Sequence, residues 1–134
     1  MWLISTEAKF SAAHQLHGYS GKCEKLHGHN FKVKVTVETD TLQEIGLGID
    51  FKELKVMLID VIEKFDHCNL NELPEFKAQR CDLNPTAENI AKLIWDNLNS
   101  KIKSQNVGNR YICSLREVQV WESDTNSVIY YESE

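Results

Sequence analysis

His27-Gly28-His29-Asn30-Phe31-Lys32-Val33-Lys34-Val35-Thr36-Val37-Glu38 alternates: His27, His29, Phe31, Val33, Val35 and Val37 share one parity, while Lys32, Lys34, Thr36 and Glu38 share the other. A period of two with one apolar face is a half-buried β-strand. Upstream, Trp2, Ile4, Thr6, Ala8, Phe10, Ala12 and His14 alternate with more polar residues and predict a first strand. The irregular stretch from His17 to Lys25, with Gly18, Tyr19, Ser20 and Gly21, is the loop between the two. Downstream, Asp50 stands as an N-cap before a stripe of Phe51, Leu54, Leu58, Val61, Ile62 and Phe65, predicting one helix. Asn84-Pro85-Thr86 opens a second, with Ala87, Ile90, Ala91, Ile94 and Leu98 on one face and Glu88 in its first turn. Two β-rich runs, Tyr111 to Glu122 and Val128 to Glu132, flank the polar turn Ser123-Asp124-Thr125-Asn126 and predict a closing hairpin. The order ββααββ predicts an α+β domain over residues 1–134, a four-stranded antiparallel sheet with two helices on one face. Such a sheet leaves open edges, and so small a unit has little room for a deep pocket. Oligomerisation answers both problems.

The 134 residues carry 15 Lys and Arg against 20 Asp and Glu, a net charge of −5, and 42% are hydrophobic. That composition belongs to a folded globular chain, and its acidic balance without a basic cluster argues against nucleic acid as a partner. The longest aliphatic run, Val56 to Ile59, is far shorter than the ~18 residues a membrane helix needs. Met1 to Phe10 lacks the apolar block of a signal peptide, and Cys23, Cys68, Cys81 and Cys113 are too scattered for a disulfide framework. Both features predict a cytoplasmic chain with reduced thiols, and nothing singles out Cys68, Cys81 or Cys113 for chemistry.

His27 and His29, at i and i+2, project from one face of their strand, and antiparallel pairing brings His14 opposite one of them. Three imidazoles then converge, with no fourth protein ligand foreseen, which matches the open coordination of a catalytic zinc site. Taken alone, His-x-His also describes ordinary solvent-facing imidazoles. His17, past the strand end, reads as surface or as support to the other three. Cys23 in the loop has two readings: a fourth ligand closing a structural zinc knuckle, or a proton-transfer base whose thiol pKa is lowered below the free value of about 8.5 by a metal or an imidazole. Asp66-His67 can supply such an imidazole with its tautomer fixed by the carboxylate, although the same dipeptide serves elsewhere as capping. Glu122 ends a strand. Its carboxylate either pairs with adjacent N–H groups of a ligand or is solvated at the turn.

Phe10-Ser-Ala-Ala-His14, Cys23-Glu-Lys-Leu-His27-Gly-His29, Gly48-Ile-Asp50-Phe, Asp66-His67-Cys-Asn-Leu70-Asn, Asn84-Pro-Thr-Ala-Glu88-Asn and Val120-Trp-Glu122-Ser occur in order across nearly the whole chain. Together they resemble the 6-pyruvoyltetrahydropterin synthase and 6-carboxytetrahydropterin synthase family. The resemblance implies a tunnelling fold (T-fold), in which three subunits' sheets join into a barrel and two trimers stack into a homo-hexamer with active sites at subunit interfaces. It further implies that His14, His27 and His29 hold Zn2+, that Cys23, Asp66 and His67 move protons, that Glu122 anchors a pterin ring, and that Thr86 touches it.

The spacing Cys-x3-His-Gly-His is similar to that of the 6-carboxytetrahydropterin synthases of the queuosine and 7-deazaguanine route, the tetrahydrobiopterin enzymes having two more residues between thiol and histidines. The implied lyase reaction converts 7,8-dihydroneopterin triphosphate to 6-carboxy-5,6,7,8-tetrahydropterin, acetaldehyde and triphosphate. Glu24, three residues before His27, stands where a folate-route variant of the family keeps a catalytic glutamate, so formation of 6-hydroxymethyl-dihydropterin is an alternative. So is 6-pyruvoyltetrahydropterin synthesis. Outside this class, a non-catalytic zinc-stabilised binding module, or an epimerase or aldolase working without metal, stays open. Lys22 and Lys25 lie near the motif, but the sequence assigns no residue to the triphosphate.

Overall fold

The computed structural model describes residues 1–18, 25–77, 81–107 and 111–133. Cys23, Glu24 and Lys22 lie outside the described residues. The elements are β1 (Trp2–His14), β2 (His27–Thr39), α1 (Phe51–Ile62), β3 (Cys68–Asn69), α2 (Ala87–Val107), β4 (Ser114–Trp121) and β5 (Ser127–Tyr130), with 3-10 turns at Glu63–Phe65, Leu70–Glu72 and Cys81–Leu83.

β1 and β2 pair antiparallel without interruption from Trp2↔Thr39 to His14↔His27. The alternation seen in the sequence therefore becomes one continuous face, partly buried at Ile4, Thr6 and Ala8 and fully buried from Phe10 to His14. Phe10 sits directly opposite Phe31, their rings stacked with centroids 4.9 Å apart, and Val33, Val35 and Val37 continue the row. β4 joins on the other side of β2 and adds Leu115, Val118 and Val120 to the same face, after a bulge that shifts the register between Thr36 and Val37. Both helices cover that face. α1 contributes Leu54, Leu58, Val61 and Ile62, and α2 contributes Ile90, Ala91, Ile94, Leu98 and Ile102.

The α+β class and two helices are as expected, but the sheet differs from the expectation of four antiparallel strands. Among the described residues it has five, in the order β3-β1-β2-β4-β5, because Cys68–Asn69 pairs parallel with Ala12 and Ala13 at the edge of β1. A two-residue strand has no periodicity to read. Phe51 also departs from its expected place on the buried stripe of α1. As the helix's first residue it is 65% exposed, while Ile49 ahead of the cap is buried. Asp50 caps as predicted, its carboxylate accepting from the Lys52 N–H at 2.8 Å. Ile49 and Leu54, both buried, occupy the two positions of a hydrophobic staple across that cap.

At α2 the Thr86 hydroxyl accepts from the Asn89 N–H at 3.1 Å, making Thr86 the N-cap. Its neighbour Asn84 is buried and pairs through its amide with both backbone groups of His17, at 2.8 Å each. Asn71 treats Gln15 in the same way, at 2.9 and 2.8 Å. Two side-chain amides thus continue the backbone pairing of the chain leaving β1, where the sheet itself has ended. No helix among the described residues is long and apolar enough to cross a membrane.

Candidate metal and pterin site

The register His14↔His27 places the last residue of β1 beside the first of β2, and the pleat puts His29 on the same core face. The three rings meet edge to face, with centroids 4.8 to 5.1 Å apart. His14 is 1% exposed. The pairing Lys32↔Trp121 sets the following residue, Glu122, on the same face as Phe31 and His29. Its Oε1 lies 3.1 Å from His14 Nε2 and 2.9 Å from His29 Nε2. One ligand atom from each of His14, His27, His29 and Glu122 falls within 4.8 Å of the others, a group that could hold a metal ion.

The hydrogen bonds of the outer ring nitrogens settle what the inner ones present. His14 Nδ1 is 2.8 Å from the Pro85 carbonyl and His27 Nδ1 is 2.7 Å from the Lys25 carbonyl. A carbonyl only accepts, so both Nδ1 atoms carry hydrogen and, in the neutral tautomer, both Nε2 atoms turn a lone pair inward. At His14 that lone pair faces a carboxylate oxygen 3.1 Å away, and the buried Nε2 has no hydrogen-bond donor. Two acceptors at this separation repel unless positive charge lies between them, whether a metal ion or a second proton on the imidazole. Carbonyl acceptors behind metal-ligating imidazoles are the usual device for fixing tautomer and ring angle. The residues fit a divalent cation, and Glu122, which the sequence assigned only to the pterin, stands among them.

The Asp66–His67 pair forms as expected, with Asp66 Oδ2 3.0 Å from His67 Nδ1. It is fastened to the edge of β1: the Ser11 N–H donates to Asp66 Oδ1 at 2.9 Å, and the His67 N–H donates to the Ser11 carbonyl at 2.6 Å. The Ser11 N–H, more than its His67 neighbour, holds the Asp66 carboxyl below the usual aspartate range. His67 adopts φ 56°, the left-handed region that non-glycine residues seldom occupy, and its side chain is 83% exposed. Asp66 and His67 are not part of the four-residue metal group. His67 borders a cleft of about 510 Å3 whose lining also includes Ser11, Gly28, His29 and Asn30. Cys68 in the same lining donates its thiol to the Phe65 carbonyl at 3.1 Å, and burial with the carboxylates of Asp66 and Glu72 pushes its pKa up. It stays a protonated thiol, as does the buried Cys113.

Lys25 serves the site through its backbone carbonyl. The Thr86 hydroxyl is committed to its helix cap. Sequence reasoning missed the carbonyls of Lys25 and Pro85, for which no side-chain signal exists. It also missed the convergence of Glu122 with the histidines, which the parity of β4 against β2 could have revealed.

Residues 3–133 match the family described as 6-pyruvoyl tetrahydropterin synthase. A 6-carboxy-5,6,7,8-tetrahydropterin synthase of Synechocystis is 35% identical over 136 residues, covering 98% of this chain and 94% of the relative. The human 6-pyruvoyl tetrahydrobiopterin synthase is 34% identical over 141 residues, covering 95% and 89%. Among solved structures, the 6-pyruvoyl tetrahydropterin synthase of Caenorhabditis elegans superposes with a TM-score of 0.74 at 25% identity, covering 99% of this chain and 98% of that one. The fold and its convergent histidines define a tetrahydropterin synthase, an enzyme class that acts on pterins. The chain belongs to the 6-pyruvoyl tetrahydropterin synthase family, and its fold is the T-fold of that family.

Proposed function

We propose that this chain, acting as one domain in the cytoplasm, is a zinc-dependent 6-carboxy-5,6,7,8-tetrahydropterin synthase of the queuosine and 7-deazaguanine route. It converts 7,8-dihydroneopterin triphosphate and one water to 6-carboxytetrahydropterin, acetaldehyde and triphosphate. The observation that carries the proposal is the inward-facing set of His14, His27 and His29 behind a Cys-x3-His-Gly-His segment. The Synechocystis relative's name supports the carboxy branch.

His14, His27 and His29 hold Zn2+, which supplies Lewis-acid stabilisation of negative charge on the substrate's hydroxylated side chain. Glu122 accepts from the ring amide N–H and the 2-amino group, selecting ligands that carry that donor pair. Cys23 removes and returns side-chain protons, a role worth ~10²–10⁴-fold. The Asp66 carboxylate orients the His67 imidazole, which passes those protons onward. His67 faces outward on the β3 edge, so this relay suits a site completed between subunits of a homo-hexamer built from two trimers. Thr86 supports the ring from the start of α2.

Two other outcomes have a specific feature behind them: Glu24 favours a hydroxymethyl product, and the similarity to the human enzyme favours a pyruvoyl product. Mass analysis of products from 7,8-dihydroneopterin triphosphate separates all three. The carboxy product with acetaldehyde is expected, and its absence overturns the proposal. Cys23→Ala should lose carboxy-pterin formation and keep its zinc, whereas His27→Ala should lose the zinc. If Cys23→Ala turns over like the wild type, Cys23 is not the base. If the same variant makes 6-hydroxymethyl-dihydropterin, Glu24 has an activity of its own.

A further inference from the structure

We propose that Ser11 is the positioning residue of the Asp66–His67 pair, its backbone N–H and carbonyl at the edge of β1 fixing which ring nitrogen of His67 is left to take a proton. This rests on the reading above, in which that pair moves protons. The Ser11 N–H donates to Asp66 Oδ1 at 2.9 Å, and the Ser11 carbonyl accepts from the His67 N–H at 2.6 Å. One residue thus holds the aspartate by its carboxylate and the histidine by its backbone. With Oδ1 occupied, Asp66 turns Oδ2 to His67 Nδ1 at 3.0 Å. The Ser11 N–H is also the largest cause lowering the Asp66 carboxyl, which keeps Asp66 a pure acceptor. In the neutral ring Nδ1 then carries the hydrogen, and Nε2 presents its lone pair. Free histidine prefers the opposite tautomer, so this presentation has to be imposed by the partner of Nδ1.

The geometry favours a task over mere covering of the sheet edge. His67 holds φ 56° with a side chain 83% exposed, so its ring fills no core. A turn needed only for structure would be served at lower cost by Gly or Asn, which enter the left-handed region more readily. Ser11 is free for this duty because a strand residue points its N–H and its carbonyl to the same side. Both point away from β2, which makes Ser11↔Asn30 a non-hydrogen-bonded pair of the β1–β2 ladder. The hydroxyl is spent elsewhere, on Asn30 Oδ1 at 2.7 Å. The positioning therefore belongs to the backbone of residue 11, and a variant lacking only the N–H isolates it without breaking a ladder bond.

Ser11→Pro removes that N–H on a strand edge, where proline is tolerated. The α-hydroxy acid of serine placed at position 11 removes it without fixing φ, and decides the matter should the proline variant not fold. Wild type, both of these and Ser11→Ala are labelled with nitrogen-15 histidine, loaded with zinc and measured at about pH 8.5, above the ordinary histidine pKa. The His67 signal, identified by its loss in His67→Gln, should report hydrogen on Nδ1 in wild type and in Ser11→Ala, which keeps both backbone bonds. In the two proteins without the N–H it should shift to a mixture with hydrogen on Nε2. Their kcat for 7,8-dihydroneopterin triphosphate should fall about a hundredfold, with KM and bound zinc unchanged. A wild-type signal with hydrogen on Nε2, or one that loss of the N–H leaves unchanged, would overturn the positioning. An unchanged kcat beside a changed tautomer, or a loss of zinc in step with kcat, would overturn its part in turnover. Near-ultraviolet circular dichroism confirms that each protein is folded. Failure of the functional reading shows separately, as wild type that does not turn over the substrate, while the histidine signals still decide what Ser11 does.

Discussion

His14 shows how little of a site resides in the side chain that carries it. Its ring is sealed from solvent, its Nδ1 donates to the Pro85 carbonyl just ahead of α2, and only Nε2 remains to do chemistry. The residue type and strand parity were legible in the sequence. The carbonyl that orients the ring was not, because any residue supplies one. Asp66 is similar: the dipeptide was visible, but the Ser11 N–H that depresses its pKa comes from a strand edge 55 positions away. A carboxyl whose folded pKa lies below its unfolded value contributes stability that is complete above the unfolded value of about 3.9 and is lost as pH falls through the folded one. Urea midpoints of wild type measured from neutral pH into the acid range should fall along that window. Asp66→Asn should show a shallower fall there, and identical profiles would mean that the Ser11 contact does not stabilise the fold.

Elements position the site by where they stop. β1 ends at His14 and β2 begins at His27, so the last pair of a thirteen-residue ladder supplies two of the four residues that could hold a metal. Periodicity fixed both strands and the apolar faces of both helices, since those regions obey a single burial rule over many residues. It failed at Cys68–Asn69, where two residues carry no period, and at Phe51, where the helical stripe runs past the core. It was also blind to the amide clamps of Asn71 and Asn84, which replace a strand partner for Gln15 and His17. Asn84→Ala removes a buried amide and leaves both His17 backbone groups without it, a loss of about 1–3 kcal/mol. The urea midpoint should fall with the slope unchanged. Leu58→Ala, under α1 in the core, should cost about 2–5 kcal/mol by the same measurement. An Asn84→Ala midpoint equal to wild type would show that the clamp is replaced by water.

For the molecule as a whole, one face of the sheet is filled and its margins are open. Among the described residues, β3 covers β1 only at Ala12 and Ala13, so the rest of that long edge pairs on one side, and Met1, Trp2 and Leu3 are exposed at its start. An unpaired edge of this length is a ready template for pairing with another chain. Sedimentation of the wild type should therefore show an assembly well above the 15.4 kDa protomer, and Trp2→Asp with Leu3→Asp should shift it toward the protomer. A wild type that sediments at 15.4 kDa would contradict a site completed between subunits. The proposed function depends on a cation held by His14, His27 and His29 where β1 meets β2. The most direct check is to strip purified protein with chelator, record its circular dichroism, and titrate it with zinc while counting bound metal per protomer. One zinc per protomer on a chain that stayed folded throughout is the predicted result; a folded chain that takes up no stoichiometric zinc would contradict the account.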